Sequence, residues 1–516
     1  MDALPERSRL AEVLAALSLV TDLTRGHPDE EALRACLIAT RLAAGMGVEG
    51  AELADVYYAT LLRFLGCTAT SHEYATYLGG DDIAVRRRAD MTDFGDARET
   101  FAFLLSLGTG SRVRRAITIL PVAKAAAEEG TRAHCDVAVR LASRVGLGEA
   151  VRRSLNEMFE HWDGKGGPGK LAGEAIAIPA RFASVAFTVA MFEPMAAASA
   201  AVKRWSGGAL DPAICNAFLA HSEQLLDESR SVDAWDAVLA AEPLTPVRID
   251  ERELDGIVGV FADLIDLKSP WFLGNSTAVG SLAASAAPAL GVDPVFARRT
   301  GMLRDLGRVS VPTGTWDKAE APTRSEWEQV RLHPYHSERI LLRAPALAPY
   351  AGASGAHHER LDGSGYHRGS KAAALPAEAR LLATADAFVA LTSARPHRTA
   401  FEPDRAAAML QADGGRGLLN REAVHAVIAA AGVAAPARRR MSAEAPAGLT
   451  EREIDVVRLL ARGLSEKQAA VALSVSKTTV HTHVQHIYGK TGLTSRAGLA
   501  LFAVENGLVG PVTNII

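Results

Sequence analysis

The sequence predicts an all-α protein: two helical bundles in tandem, followed by a small carboxy-terminal four-helix domain. Three observations predict this. Apolar residues recur at helical spacing along most of the chain, and few segments alternate as strands do. Of the 516 residues 48% are apolar, with Ala, Leu and Val plentiful, which is enough to fill several helical cores. A long stretch of the chain also repeats itself. At roughly 100–200 residues per domain the length allows about three domains.

The elements follow in order. Leu10, Val13, Leu14 and Leu17 fall at i, i+3, i+4 and i+7, and Leu33 and Leu37 carry the pattern to the next helix. The stretch from His134 to Phe187 lies on that from His333 to Asp386 without a gap. Glu160 then meets Glu359, Asp163-Gly164 meets Asp362-Gly363, Gly166 meets Gly365, and Ala180-Arg181 meets Ala379-Arg380. Upstream, Leu61-Leu62-Arg63-Phe64-Leu65-Gly66 resembles Met302-Leu303-Arg304-Asp305-Leu306-Gly307. These matches define two copies of one helical domain, over 1–240 and 245–431. Residues 432–448, with Pro436, Pro446 and the cluster Arg438-Arg439-Arg440, read as a flexible linker. The arginines there are either a solvated run or a contributor to phosphate contacts. The last domain is 449–516.

Net charge is −4, so any nucleic-acid surface must be local. Cys36, Cys67, Cys135 and Cys215 are scattered, which argues against a zinc knuckle or a disulfide framework and suits a reducing cytoplasm. No amino-terminal apolar run and no long apolar stretch supports secretion or a membrane span.

The run His357-His358-Glu359-Arg360-Leu361-Asp362-Gly363-Ser364-Gly365-Tyr366 carries the densest chemistry. Adjacent imidazoles with nearby carboxylates are what a metal centre needs. Upstream, however, Arg304 precedes Asp305, and a guanidinium is a donor only and cannot ligate a metal.

This second copy resembles the HD-GYP family, a branch of the HD phosphohydrolase superfamily. The resemblance rests on Lys268-Ser269-Pro270, Asp305-Leu306-Gly307, His333-Pro334, His357 to Tyr366, Leu375-Pro376, Ala379-Arg380, Ala385-Asp386-Ala387-Phe388 and Ala390 to Pro396. It implies a helical bundle whose active members hydrolyse cyclic di-GMP at a two- or three-metal site. Carried over, Asp305 is the bridging carboxylate, His333, His357 and His358 bind in one half of the site, and Asp386 belongs to the other. That other half expects histidines where this chain has Asn275 and Arg304. Arg308 stands for the family's phosphate-facing lysine, so Asp305 and Arg308 are the residual catalytic candidates, and His367 replaces a proline. The expectation is an ion pair of Arg304 with Asp386 or Asp305 in place of one metal. The surviving half holds either one divalent transition metal, iron or manganese, or a hydrogen-bonded polar cluster without metal.

In the first copy the ligand positions hold Arg63-Phe64, Met158, Phe159 and Phe187. Its pocket is expected to be packed shut, with His134 an ordinary structural histidine and Asp163 to Pro168 a structural turn.

In the last domain Thr450/Glu453 and Ser465/Gln468 are spaced as capping boxes. A third helix begins near Ser476, with Val480, Val484 and Ile487 facing the core and no acid before Lys490. This layout suits a helix-turn-helix whose second helix enters the major groove. It resembles the LuxR-type helix-turn-helix through Leu449-Thr450, Arg452-Glu453, Leu459-Leu460-Ala461, Gly463-Leu464-Ser465, Val475-Ser476, Thr479-Val480, His483, Lys490, Gly492-Leu493 and Arg496. His481 stands where lysine is usual, and His486 where asparagine is. The DNA-binding candidates are Lys477, Thr478, Thr479, His481, Thr482, Gln485, His486 and Lys490. The resemblance implies a homodimer on double-stranded DNA, with the helix from Ser495 to Glu505 as a dimer contact.

Three functions follow as expectations: a DNA-binding transcriptional regulator with ligand-sensing or dimerising pseudo-enzymatic domains, its ligand a nucleotide or phosphorylated small molecule; an active metal-dependent phosphohydrolase, acting on cyclic di-GMP or a related phosphoester, that also binds DNA; or a scaffold for other signalling proteins.

Overall fold

The computed structural model describes residues 8–26, 30–78, 80–92, 94, 96–107, 112–192, 195–230, 233–432 and 446–509. The predicted all-α fold is what these residues form. Among them the only strands are a short antiparallel pair, Ser8–Arg9 with Arg248–Ile249. The Arg438-Arg439-Arg440 cluster and most of the expected linker lie outside the described residues. The chain divides into two compact units, 1–257 with 344–346, and 258–343 with 347–516.

In the first unit the helices Glu31–Gly45, Gly50–Leu61 and Ile178–Met191 pack together. Pro179 starts the last of these without losing a needed donor. Its Phe182, Val185, Ala186 and Phe187 are buried against Leu42, Val56, Trp205 and Phe218. In the second unit Asn275–Ala286 lies close on Pro294–Leu303, because a Cβ on Gly301 would overlap the backbone of Gly280. Their core is built from Val279, Ala283, Leu381, Phe388, Leu410 and Val427.

The internal repeat has a physical basis that reaches individual hydrogen bonds. Glu160 accepts from the backbone N–H of Gly169 and Leu171, and Glu359 from those of Arg368 and Ser370. Gly66 leaves no room for a Cβ against the His134 carbonyl, and Gly307 none against that of His333. Asp22 accepts from the Ala32 N–H at 3.2 Å, and Asp266 from the Ser276 N–H at 2.9 Å. Conserving these contacts fixes the same loop and helix-start geometry in both units.

All four cysteines are buried, and none is disulfide-bonded to another. No described helix is long and apolar enough to cross a membrane.

Candidate metal centre and nucleic-acid interface

The second unit brings Asp305, His333, His357 and His358 together, with one ligand-type atom of each within 4.8 Å of the others. His333 comes from the middle of the helix Arg324–Leu341, and the two adjacent histidines follow the end of Ala348–Gly355. The Nδ1 of His333 lies 2.6 Å from the Val330 carbonyl, and that of His357 lies 2.6 Å from the Ser354 carbonyl. A carbonyl only accepts, so both Nδ1 atoms carry the proton, and in neutral rings both Nε2 atoms present lone pairs. These two lone-pair nitrogens are 3.2 Å apart, and they stand 3.1 and 3.4 Å from Asp305 Oδ1. That buried carboxylate oxygen accepts no hydrogen bond. Three electron-rich atoms facing one another repel unless a cation lies between them. Their separations are what donors at about 2.1 Å from one ion require. Orientation of metal-binding histidines by backbone carbonyls is the usual supporting arrangement. The donor set therefore fits a single divalent metal.

The titration directions agree with that chemistry. Burial lowers His333 against the pull of Asp305, and burial with the neighbouring His357 and His333 drives His358 well below its ordinary value. Burial would raise Asp305, but Arg304 and Arg308 outweigh it and hold the carboxyl well below the usual range. His358 stacks on Tyr366 with ring centroids 4.7 Å apart, which limits its rotation.

The other half of the site is closed by a guanidinium. Arg304 is fully buried. It donates through Nε to Asp386 Oδ1 at 2.8 Å, through Nη1 to the Gly301 carbonyl at 2.6 Å, and through Nη2 to Asn275 Oδ1 at 2.6 Å. Nη2 also lies 2.9 Å from Asp305 Oδ2. Burial disfavours this charge, and Asp305 and Asp386 overcome that to raise its pKa. Both ion pairs expected for Arg304 are thus present. The sequence did not signal the contact with Asn275, because each position read as a separate lost histidine. Asp386 is drawn to Arg304 and stands apart from the histidine cluster.

The equivalent region of the first unit is filled, as expected. Phe64 and Phe187 meet edge to face with centroids 4.8 Å apart, and Met158 is buried. Arg25, which the sequence did not single out, lies 3.4 Å over the Phe64 ring and pairs with Glu31 at 3.0 Å and Asp90 at 2.8 Å. His134 donates from Nε2 to the Arg63 carbonyl at 3.0 Å, and burial pulls its pKa down to about 3. Below pH 6.5 the unfolded chain therefore binds a proton at His134 that the folded chain refuses. Stability falls as pH drops from about 6.5 toward 3, by about 1.4 kcal/mol per unit from this group. His134→Gln keeps the donor and removes the titration. Urea unfolding at pH 6.5 and 5 is expected to show a pH-dependent loss smaller by about 2 kcal/mol in the variant, and equal losses would refute this account.

In the carboxy-terminal domain both predicted capping boxes are formed, by Thr450 with Glu453 and by Ser465 with Gln468, and Ser476 caps the helix Lys477–Thr491. Val480, Val484 and Ile487 are buried, while Lys477, Thr478, Thr479, His481, Thr482, Gln485 and His486 are exposed on the same helix. Lys490 places its ammonium 2.7 Å from Glu453 Oε2 and 3.2 Å from the Gly448 carbonyl, so it ties the helix Lys477–Thr491 to the capping box while its side chain stays 37% exposed. The helix Arg496–Glu505 buries residues 497–503 within the chain. Sequence reading also missed Glu466, whose Oε1 lies 3.2 Å from His481 Nδ1, while Gln485 Nε2 lies 3.1 Å from His481 Nε2.

Comparison with known proteins places these features. The HD domain family matches residues 259–422, and the luxR family of bacterial regulatory proteins matches 447–503. The 3′3′-cGAMP-specific phosphodiesterase 3 of Vibrio cholerae is 28% identical over 417 residues, covering 78% of this chain and 90% of that protein. A cyclic di-GMP phosphodiesterase response regulator of Xanthomonas campestris is 40% identical over 116 residues, covering 22% of this chain and 31% of that protein. The crystal structure of a cyclic GMP-AMP-specific phosphodiesterase of Vibrio cholerae shares the fold, with a TM-score of 0.57 at 24% identity over 82% of this chain and 98% of that one. The chain accordingly joins an HD domain, whose relatives are cyclic-dinucleotide phosphodiesterases, to a carboxy-terminal regulatory domain of the luxR family.

Proposed function

We propose that this protein is a DNA-binding transcriptional regulator whose HD domain senses a cyclic dinucleotide and does not turn it over by two-metal hydrolysis. The observation that carries this reading is Arg304, which holds Asp305, Asp386 and Asn275 where the second metal's ligands would be needed. The surviving half is read as a site for one iron or manganese ion on Asp305, His333, His357 and His358. Such an ion, when bound, would balance the facing lone pairs of these side chains and hold them in their mutual orientation. The division at 240/245, 431 and 449, a cytoplasmic setting and a homodimer on two half-sites belong to the same proposal.

A second reading has its own support. The convergent lone pairs of His333, His357 and Asp305 fit a metal, and the relatives are phosphodiesterases. The test is turnover of 3′3′-cGAMP and cyclic di-GMP by the intact protein with manganese or ferrous iron. No linear product above a blank is the expected result. Turnover that Asp305→Ala abolishes would establish the enzyme instead.

DNA binding rests on the luxR-family domain and the exposed face of Lys477–Thr491. Lys477→Ala is expected to reduce the slope of log affinity against log salt by about one and to weaken binding across sequences alike. Lys490→Ala should instead leave the salt slope unchanged and cost the domain up to about 1 kcal/mol of stability, since this ion pair is partly exposed. Gel-shift titrations over a salt series, with a melt of each variant, separate the two. Equal salt slopes for Lys477→Ala and the native protein would remove Lys477 from the interface.

A further inference from the structure

Resting on that reading, we infer that the HD domain binds the phosphodiester of a cyclic dinucleotide without needing a divalent ion, because Arg308 supplies from within the fold a positive charge and donors that no neighbouring group meets. Arg308 is only 6% exposed. Its Nη2 reaches Asp305 Oδ2, while its Nε and Nη1 are buried with no hydrogen-bond partner. A buried donor left unmet in this way is costly unless a ligand meets it. The guanidinium is held in place by the Phe272 ring, 4.0 Å from Cζ, and it stands beside Asp305 at the centre of the site.

The surrounding acids offer it nothing more. Asp305 Oδ2 is shared by Arg304 and Arg308, and Asp305 Oδ1 faces the histidine nitrogens. Asp386 Oδ1 is taken by Arg304. Asp266 places one oxygen on the Ser276 N–H and the other on the Ser276 hydroxyl. A third guanidinium adds to the field: Arg395 donates to the Trp271 carbonyl at 2.6 Å, and burial with the repulsion of Arg308 pulls its pKa down to about 10, so it stays charged at neutral pH.

A phosphodiester matches these groups. It carries one negative charge and unprotonated oxygens that accept charge-assisted hydrogen bonds from a guanidinium. In a site that relies on two metals, a chelator removes the charge that attracts the phosphate. Here Arg308 is a covalent part of the chain, and no chelator removes it.

The test is isothermal titration of 3′3′-cGAMP into the intact protein, first dialysed against EDTA and then resupplied with manganese. The two dissociation constants are expected to agree within about threefold. Arg308→Met should weaken binding by at least about tenfold in both conditions, with Arg308→Lys in between. Binding that is lost in EDTA and restored by manganese overturns the inference and leaves the sensor reading standing. No binding in either condition overturns both. A folded Arg308→Met variant that binds as well as the native protein overturns the role of Arg308. Should Arg308→Met fail to fold, the EDTA comparison on the native protein decides alone.

Discussion

Asn275→His combined with Arg304→His is expected to bind one more manganese ion per chain than the native protein and to turn over 3′3′-cGAMP at a rate ~10²-fold or more above the blank. The argument is local. Removing Arg304 frees Asp386 Oδ1 and Asp305 Oδ2, both now held by its guanidinium. It also removes a fixed positive charge that repels a divalent ion from that spot. Two imidazoles at 275 and 304 would complete, with the two freed carboxylates, the set that the family resemblance calls for. Asn275 sits in the first turn of its helix and is already oriented into the site, as its carbonyl contact with Arg304 shows. Metal content by mass spectrometry and product by chromatography read the two effects separately. A double variant that takes up no extra ion would refute the view that Arg304 occupies a metal's place.

The second large effect concerns stability. Arg304→Met leaves Asp305 and Asp386 without their shared cation in a buried setting, and it is expected to cost about 3–5 kcal/mol. Burial works against both carboxylates once the guanidinium is gone, and Gly301 and Asn275 lose their donors as well. Adding Asp386→Asn should recover part of the loss, because an amide needs no counter-charge. Chemical denaturation of the single and double variants gives the coupling directly. A loss below about 1 kcal/mol for Arg304→Met would mean that water reaches the site and screens it.

Much of this was legible in the sequence, for reasons that can be named. The Arg304 pairs could be foreseen because adjacent chain positions and a known pattern brought one cation to two acids. The capping boxes at Thr450 and Ser465 follow from local spacing alone, and they formed. The repeat was visible because its shared Gly positions leave no room for a Cβ and its shared Glu positions accept backbone N–H groups in both copies. Long-range pairs were not legible. Arg25 and Asp90 are far apart in the chain, and no periodicity links them. The ion pair of Lys490 was equally hidden, because its own helix carries no acid before it. Its acid is Glu453, on a different helix, where the capping box buries the carboxylate within reach. Burial outweighed by Lys490 and Thr450 holds that carboxyl at about 2, so the pair stays ionised at any working pH.

The hydrogen bond between Arg304 and Asn275 also binds the two positions into one energetic unit. Arg304→His alone would leave Asn275 without its donor and two carboxylates short of a charge. Asn275→His alone would press an imidazole against a guanidinium that is already in place. Each single substitution therefore leaves buried groups unmet, while the paired change removes both conflicts together, so the two changes are expected to be strongly non-additive.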